Sequence, residues 1–193
     1  MSLPQDPRWP RASSKISSHD GSQVDALIIG VPASSTSISP TGAGSTPDAI
    51  RDALSRYSLA HSNKKVNLEK VSIADAGNVI SPDIDEDATI SLIRNAHTQS
   101  ALLIALGGDN SITYATHMAA EATGLITFDA HYDLRDGVSN GSPVRRLIEA
   151  GLSGKKVVQI GIADFSNSPE YAARAQEYGI TVIPRSELRT ANI

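Results

Sequence analysis

The 193-residue sequence contains no cysteine, which excludes disulfide bonds and thiolate metal sites. No apolar run approaches the roughly 18 to 20 residues that a membrane-spanning helix requires. The N-terminus, Met-Ser-Leu-Pro-Gln-Asp-Pro, lacks the basic start and apolar core of a secretory signal. A net charge of −4 argues against a nucleic-acid-binding surface. These absences leave a cytoplasmic protein, with neither nucleic acid nor membrane as a partner, as the default expectation.

Nucleotide-binding motifs are also absent. The sequence has no Gly-x-x-x-x-Gly-Lys phosphate loop, and no Gly-x-Gly-x-x-Gly follows its first apolar segment. We therefore expect no dinucleotide site. No internal repeat is visible, so a single domain is the simplest expectation for a chain of this length.

What the sequence does contain is an alternation of apolar strands and helices after a polar arm. Residues 1–23 are rich in proline, serine and charge, and we expect this arm to dock through Trp9. Residues 24–193 then read as one α/β domain, a three-layer α/β/α fold with a mostly parallel sheet. The predicted strands are 24–31, 66–74, 101–106, 125–128, 155–160 and 180–183; the predicted helices are 47–57, 83–100, 112–122, 143–150 and 169–178.

Three metal-capable side chains follow the strand at 125–128. Asp129, His131 and Asp133 alternate at period two, which on an extended chain would place all three on one side. Two carboxylates with one imidazole suit Mn²⁺, Zn²⁺ or Fe²⁺. The alternative is a strand that runs into an ordinary polar turn. Because ligands in parallel α/β folds bind at the carboxyl ends of strands, we favour a metal site.

Three other predicted strand ends carry candidate stretches, at 32–44, 107–111 and 161–167. Gly107 and Gly108 allow a steep turn, and Asp109 and Asn110 could simply cap the helix that follows. Alternatively, Asn110 shares a metal site with the Asp-x-His-x-Asp segment at the next strand end. The stretch 161–167 follows the strand at 155–160 and forms another part of the expected binding edge.

Several motifs together resemble the ureohydrolase (arginase/agmatinase) family. Gly107-Gly108-Asp109-Asn110, Asp129-Ala130-His131-Tyr132-Asp133 and Asn140-Gly141-Ser142-Pro143 occur in that family's order and spacing, and the similarity spans roughly residues 24 to 190. Within the family, Asp133-Leu134-Arg135 followed by Asn-Gly-Ser-Pro-Val-Arg is most similar to formimidoylglutamase. That enzyme hydrolyses N-formimidoyl-glutamate to glutamate and formamide in histidine degradation.

The resemblance implies a site with two Mn²⁺ ions that lower the pKa of a bound water. Asp129 would bridge the ions, while His131 and Asp133 would each serve one of them. Asn110 stands where most members have a histidine ligand, and Asn140 where arginases have a histidine that transfers protons. Arginine forks suit a substrate with two carboxylates. The implied catalytic residues are Asp129, His131 and Asn140; the metal ligands are Asn110, Asp129, His131 and Asp133; the substrate-binding residues are Arg135, Asn140, Ser142 and Arg145.

One family motif is missing. No Ser-x-Asp-x-Asp segment occurs before Ile193, so the sequence carries about half of a two-metal site. The resemblance implies eight strands in the order 2-1-3-8-7-4-5-6, with strands 7 and 8 in the centre. We therefore expect a C-terminally truncated fragment that alone is poorly stable and weakly active or inactive. An agmatinase or guanidino-acid hydrolase, and a non-catalytic module, remain alternatives. A homo-oligomer is also compatible with the family.

Overall fold

The computed structural model describes residues 6–189. These residues form two compact units, one made of residues 6–33 and 42–108 and the other of residues 34–41 and 109–189. The division into an arm at 1–23 and one domain at 24–193 stays a prediction. The arm joins the first unit because its short strand pairs with the sheet there.

The first unit contains a four-stranded parallel sheet. Its strands are β1 (Ser17–Ser18), β2 (Val24–Val31), β3 (Ile73–Asn78) and β4 (Ser100–Gly107), in the order β1-β3-β2-β4. Its helices are α1 (Thr46–Leu54) and α2 (Glu86–Thr98), with short 3-10 turns at Ala12–Lys15, Ala43–Ser45 and Leu68–Lys70. Strand β2 lies in the middle of the sheet and is buried from Ala26 to Val31.

The second unit contains a three-stranded parallel sheet. Its strands are β5 (Leu125–Phe128), β6 (Val157–Ile162) and β7 (Thr181–Pro184), in the order β5-β6-β7. The helices are α3 (Ile112–Ala120), α4 (Pro143–Glu149) and α5 (Pro169–Tyr178), with 3-10 turns at Gly154–Lys156 and Arg185–Arg189. The core of this unit consists of Leu134, Val144, Val157, Ala175 and Ile180.

The predicted α/β class with parallel strands is confirmed. The described strands form two hydrogen-bonded sheets. The order of neighbours within each sheet agrees with the family resemblance. The family's order 2-1-3 corresponds to β3-β2-β4, and its order 4-5-6 corresponds to β5-β6-β7. Edge strand β5 carries two exposed apolar side chains, Ile126 at 64% and Phe128 at 79% exposure.

The second predicted strand, at 66–74, is displaced in the structure. The side chain of Asn67 accepts a hydrogen bond from Glu69 N (3.0 Å), which starts a 3-10 turn where a strand was expected. Strand β3 begins at Ile73 and continues to Asn78, beyond the predicted end at residue 74. Asp75 tolerates this position because Arg51 binds its carboxylate (Nε to Oδ2, 2.6 Å).

The N-terminal arm does not dock through Trp9 as expected. Trp9 is 49% exposed, and the guanidinium of Arg11 lies 4.0 Å from the centre of its ring. The arm is held instead by the pairing of β1 with β3 and by a hydrogen bond from Ala12 N to Tyr57 O (2.8 Å).

Across residues 6–189, no helix combines the length and the apolar character needed to cross a bilayer.

Candidate functional site

The loop after β5 carries the three residues with which the metal prediction began. Strand β5 ends at Phe128, and the chain then bends because a carboxylate oxygen of Asp129 accepts a hydrogen bond from His131 N (2.8 Å). Asp133 adopts a left-handed backbone conformation with φ of +55°. The chain is therefore not extended from Asp129 to Asp133, as the period-two spacing assumed. The hydrogen bond between Asp129 and His131 closes a turn.

The turn nevertheless directs the expected side chains toward one cavity of about 900 Å³. The cavity combines carboxylates, an imidazole, amides and guanidinium groups, which makes it strongly polar. Its metal-capable side chains include those from the loop after β5 and one from the start of α3. The charged and amide groups in its lining are Asn110, Asp129, His131, Asp133, Arg135, Asp136, Asn140, Asn167, Glu170 and Arg174.

Asp133 is the buried carboxylate of this cavity, with 6% of its surface exposed. Burial, and secondarily the nearby charge of Asp129, raise the pKa of Asp133 to about 7. A hydrogen bond from Asn110 Nδ2 (2.7 Å) acts in the opposite direction. Two carboxylates held close together in a partly dry site are an arrangement that a divalent cation would stabilise.

Asp129 and His131 form the more exposed part of the same group. The Nδ1 atom of His131 lies 3.3 Å from Asp129 Oδ1, and the side chains of His131 and Asp129 are 60% and 31% exposed. Both side chains are therefore accessible from the cavity.

The donor set fits a divalent cation in its chemistry, because hard carboxylate oxygens and one imidazole line a common space. In number the set is incomplete. Within residues 6–189, no three His, Cys, Asp or Glu side chains converge closely enough to hold a metal ion. The described residues thus supply only part of a closed coordination sphere.

Asn110 faces Asp133 with its amide nitrogen. Its Oδ1 atom accepts a hydrogen bond from Thr113 Oγ1 (2.7 Å), while Nδ2 donates to Asp133. The amide therefore orients the carboxylate in this geometry. To ligate a cation through oxygen, Asn110 would have to exchange its two amide atoms, and Thr113 could then accept a hydrogen bond from Nδ2.

Two expected substrate-binding residues lie at the cavity. Arg135 is exposed, and its guanidinium has no hydrogen-bond or ion-pair partner among residues 6–189. Its aliphatic part lies against Gly141, where an added Cβ would come within 2.7 Å of Arg135 Cδ. Asn140 also lines the cavity, and its Oδ1 accepts a hydrogen bond from Ile38 N (3.1 Å).

The other two expected substrate-binding residues, Ser142 and Arg145, do not line the cavity. Ser142 is fully buried, and its hydroxyl bonds to the main-chain N and O of Ser139 at 2.9 Å each. Arg145 donates to Arg135 O (2.6 Å), to Gly137 O and to Glu149. Both residues shape the loop before α4, because their polar atoms bond within it and to α4 itself.

The sequence did not single out three residues that prove to be close to the candidate site. Arg174, on α5, lines the cavity and donates to Leu134 O (2.7 Å) and to Asp136 (2.8 Å). Asn167 lines the cavity, and buried Gln159 contacts the turn after β5 through a hydrogen bond. Asn167 belongs to the strand-end stretch noted in the sequence, but no pattern distinguished it from its neighbours.

A family model described as the arginase family matches residues 24–193. The chain belongs to the arginase family. Among its relatives, a formimidoylglutamase of Halalkalibacterium halodurans is 35% identical over 192 residues, covering 90% of this chain and 60% of the relative. Relatives named agmatinase (Pyrococcus horikoshii) and guanidinopropionase (Pseudomonas aeruginosa) match at 32% and 30% identity.

Solved structures of the arginase family share this fold. The crystal structure of Bacillus subtilis formimidoylglutamase matches with a TM-score of 0.89 and 30% identity, covering 97% of this chain and 64% of that one. A Trypanosoma cruzi formiminoglutamase structure with Mn²⁺ matches with a TM-score of 0.86 at 24% identity, covering 95% of this chain and 68% of that one. The chain spans about 60% of the length of the first curated relatives that it matches.

Proposed function

We propose that this arginase-family chain belongs to a manganese-dependent hydrolase that cleaves the formimino C–N bond of N-formimidoyl-glutamate, giving glutamate and formamide. One observation carries the proposal: the guanidinium of Arg135, which has no partner among residues 6–189, shares a cavity with Asp129, His131 and Asp133. The first group can bind an anionic substrate, and the others can hold a cation. The 35% identity to a formimidoylglutamase supports this choice of substrate.

Asp129, His131 and Asp133 would supply part of the coordination sphere of the metal, with Asn110 beside them. When bound, the metal supplies Lewis-acid chemistry that activates water near neutral pH. The protein's own contribution is orientation. Asn110 fixes the direction of the Asp133 carboxylate through its Nδ2 hydrogen bond.

Arg135 would bind one carboxylate of the substrate. A guanidinium presents two parallel N–H groups that match the two oxygens of a carboxylate. Asn140 would contribute a polar contact from the same cavity. It would not transfer a proton as a histidine does, because its amide does not titrate near neutral pH.

A second candidate, hydrolysis of a cationic guanidino compound such as agmatine, has a specific observation in its favour. The cavity also contains the carboxylates of Asp136 and Glu170, which would attract a positively charged substrate. The relative named agmatinase, at 32% identity, supports the same reading. A non-catalytic module is the third candidate, because the close metal donors among residues 6–189 are few.

The products distinguish these candidates. Purified, Mn²⁺-treated protein is incubated with N-formimidoyl-glutamate, agmatine and guanidinopropionate, and formamide and urea are quantified. The proposal predicts formamide from the first substrate at a rate well above urea from the others. Preferential urea release would support the guanidino candidate, and no product from any substrate would support the module. A cytoplasmic location and a homo-oligomeric state remain expectations, which imaging of the tagged protein and light scattering would test.

A further inference from the structure

The turn that carries the candidate metal ligands is held from the side by one amide group. Asn167 Nδ2 donates to Ala130 O (2.9 Å), and Asn167 Oδ1 accepts from Tyr132 N (3.2 Å). These two main-chain atoms belong to the residues directly before and after His131. One side chain therefore spans the backbone on both sides of a candidate ligand.

A second amide strengthens this arrangement. Gln159, fully buried on β6, donates from Nε2 to Tyr132 O (2.9 Å). The main-chain N and O of Tyr132 are thus both bound by amide side chains. Further main-chain bonds of the turn run from Asp129 N to Ile160 O (3.1 Å), from Ala163 N to Ala130 O (3.0 Å) and from Arg145 N to Asp133 O (3.2 Å).

Asn167 is itself fixed at the start of a helix. The next residue, Ser168, caps α5 by accepting a hydrogen bond from Tyr171 N (3.3 Å), and Pro169 occupies the first turn. Asn167 Nδ2 also lies 3.4 Å from Ala163 O, within its own loop. The backbone of Asn167 is therefore fixed next to the start of α5, while its side-chain amide bonds to the turn.

We propose that Asn167 is a positioning residue that sets the direction of the His131 side chain for metal binding. The inference rests on the proposed function in so far as His131 is a metal ligand. Fixing the main chain on both sides of a residue restricts its Cα–Cβ direction, and ligand geometry must be held tightly for a metal site to bind well.

The chemistry requires an amide at this position. Ala130 O needs a donor and Tyr132 N needs an acceptor, and an asparagine side chain provides both in one plane. Aspartate has the same shape but no donor when ionised, so one carboxylate oxygen would face the carbonyl oxygens of Ala130 and Ala163. The isosteric variant should therefore disrupt the turn although it fills the same space.

The test compares Asn167→Asp and Asn167→Ala with wild-type protein and with Val157→Ala. Val157 lies in the core of the same unit and forms none of the amide hydrogen bonds to the turn, so its truncation lowers stability while those bonds remain. Mn²⁺ affinity is measured by electron paramagnetic resonance titration, thermal stability by calorimetry and formamide release by product assay. Changes in residues that support metal ligands typically reduce affinity about 10- to 100-fold.

Both Asn167 variants are expected to bind Mn²⁺ at least roughly tenfold more weakly than wild type. Val157→Ala should keep wild-type affinity although its melting temperature is equal to or lower than that of the Asn167 variants. Wild-type Mn²⁺ affinity in the Asn167 variants, or an equal loss in Val157→Ala, would overturn the inference.

The formamide assay separates this inference from the proposed function. If the expected affinities are found but no formamide forms, the proposed function fails and the inference stands. If formamide forms but the Asn167 variants keep wild-type Mn²⁺ affinity, the inference fails and the proposed function stands. A wild-type protein that binds no Mn²⁺ contradicts both.

Discussion

The side-chain amide of Asn110 donates a hydrogen bond to the carboxylate of Asp133, with 2.7 Å between Nδ2 and Oδ2. This contact joins the start of α3 to the end of the turn after β5. It gives a buried carboxylate a partner on one side, while Asp129 adds a second negative charge nearby. In the absence of a cation, Asp133 is therefore a place where the ionised form is costly.

Replacing Asp133 with asparagine should stabilise the metal-free protein. In the presence of a chelator at pH 8, above the pKa of about 7, we expect Asp133→Asn to raise the free energy of unfolding. The expected gain is about 1 to 3 kcal/mol, because a buried charge is removed and the amide can still bond to Asn110. Denaturant unfolding measures this change.

Asn110→Ala is the matched variant for this comparison. It leaves the Asp133 carboxylate without its amide donor, so it should lower stability under the same conditions. A metal-free Asp133→Asn protein that is less stable than wild type would show that the buried charge of Asp133 does not destabilise the fold. With saturating Mn²⁺, the order of Asp133→Asn and wild type should reverse, because only wild type gains stability from metal binding.

Arg135 should determine the affinity for an anionic substrate. Arg135→Ala removes an exposed guanidinium from the cavity, and we expect KM for N-formimidoyl-glutamate to rise roughly 10- to 100-fold with a smaller change in kcat. Arg135→Lys should lie between the two, since an ammonium cannot bind a carboxylate through two parallel hydrogen bonds. Steady-state kinetics separate the two parameters, and an unchanged KM in Arg135→Ala would exclude this residue from substrate binding.

Arg51 should contribute more to stability than other arginines of its unit. Its guanidinium binds both oxygens of Asp75 (2.6 and 2.8 Å) and also contacts Asp48 and Gly77 O. Because Arg51 and Asp75 are only about a fifth exposed, at 21% and 20%, Arg51→Ala leaves a mostly desolvated carboxylate on β3. We expect a loss of about 2 kcal/mol in urea unfolding.

Arg56→Ala provides the control, because Arg56 is an exposed arginine in the same unit. Such surface substitutions usually change stability by less than about 0.5 kcal/mol. Equal changes in the free energy of unfolding for Arg51→Ala and Arg56→Ala would show that the Arg51 contacts do not stabilise the fold.

His117 should make stability depend on pH. Burial lowers the pKa of His117 below its ordinary value of 6.5, although a hydrogen bond with Gly124 opposes the shift. The unfolded chain therefore binds the proton more strongly, so stability is present above about pH 6.5 and is lost as pH falls below it. Its Nε2 atom is buried without a hydrogen-bond partner in the described chain. His117→Leu should lose less stability than wild type between pH 7 and 5. If the free energy of unfolding changes equally with pH in both proteins, His117 is not the source of this dependence.

Helices and strands with clear boundaries in the sequence were predicted well. The strand at Val24–Val31 and the helix at Pro169–Tyr178 have the predicted limits, because a proline follows the first and a capping Ser168, Pro169 and Gly179 bound the second. Strand β3 was displaced because a local Asn67 turn and a distant arginine decide its limits. Neither effect appears in hydrophobic periodicity.

Within the site, the residues were easier to predict than their roles. The spacing after a predicted strand indicated Asp129, His131 and Asp133, and all three line one cavity. The sequence could not show that Arg145 bonds to main-chain oxygens of its own loop, since a surface arginine and a binding arginine look alike in sequence. The role of the Asn167 amide was also missed, because its partners are main-chain atoms 35 and 37 residues away in the sequence.

We propose metal-dependent hydrolysis of N-formimidoyl-glutamate at the cavity that Asp129, His131 and Asp133 line. The most direct measurement is the rate of formamide release by chelator-treated protein as Mn²⁺ is added back, for wild type and for Asp129→Asn. The account predicts that activity rises with Mn²⁺ to a plateau in wild type and is reduced at least roughly 100-fold in Asp129→Asn. Formamide release that does not depend on Mn²⁺, or that survives in Asp129→Asn, would contradict it.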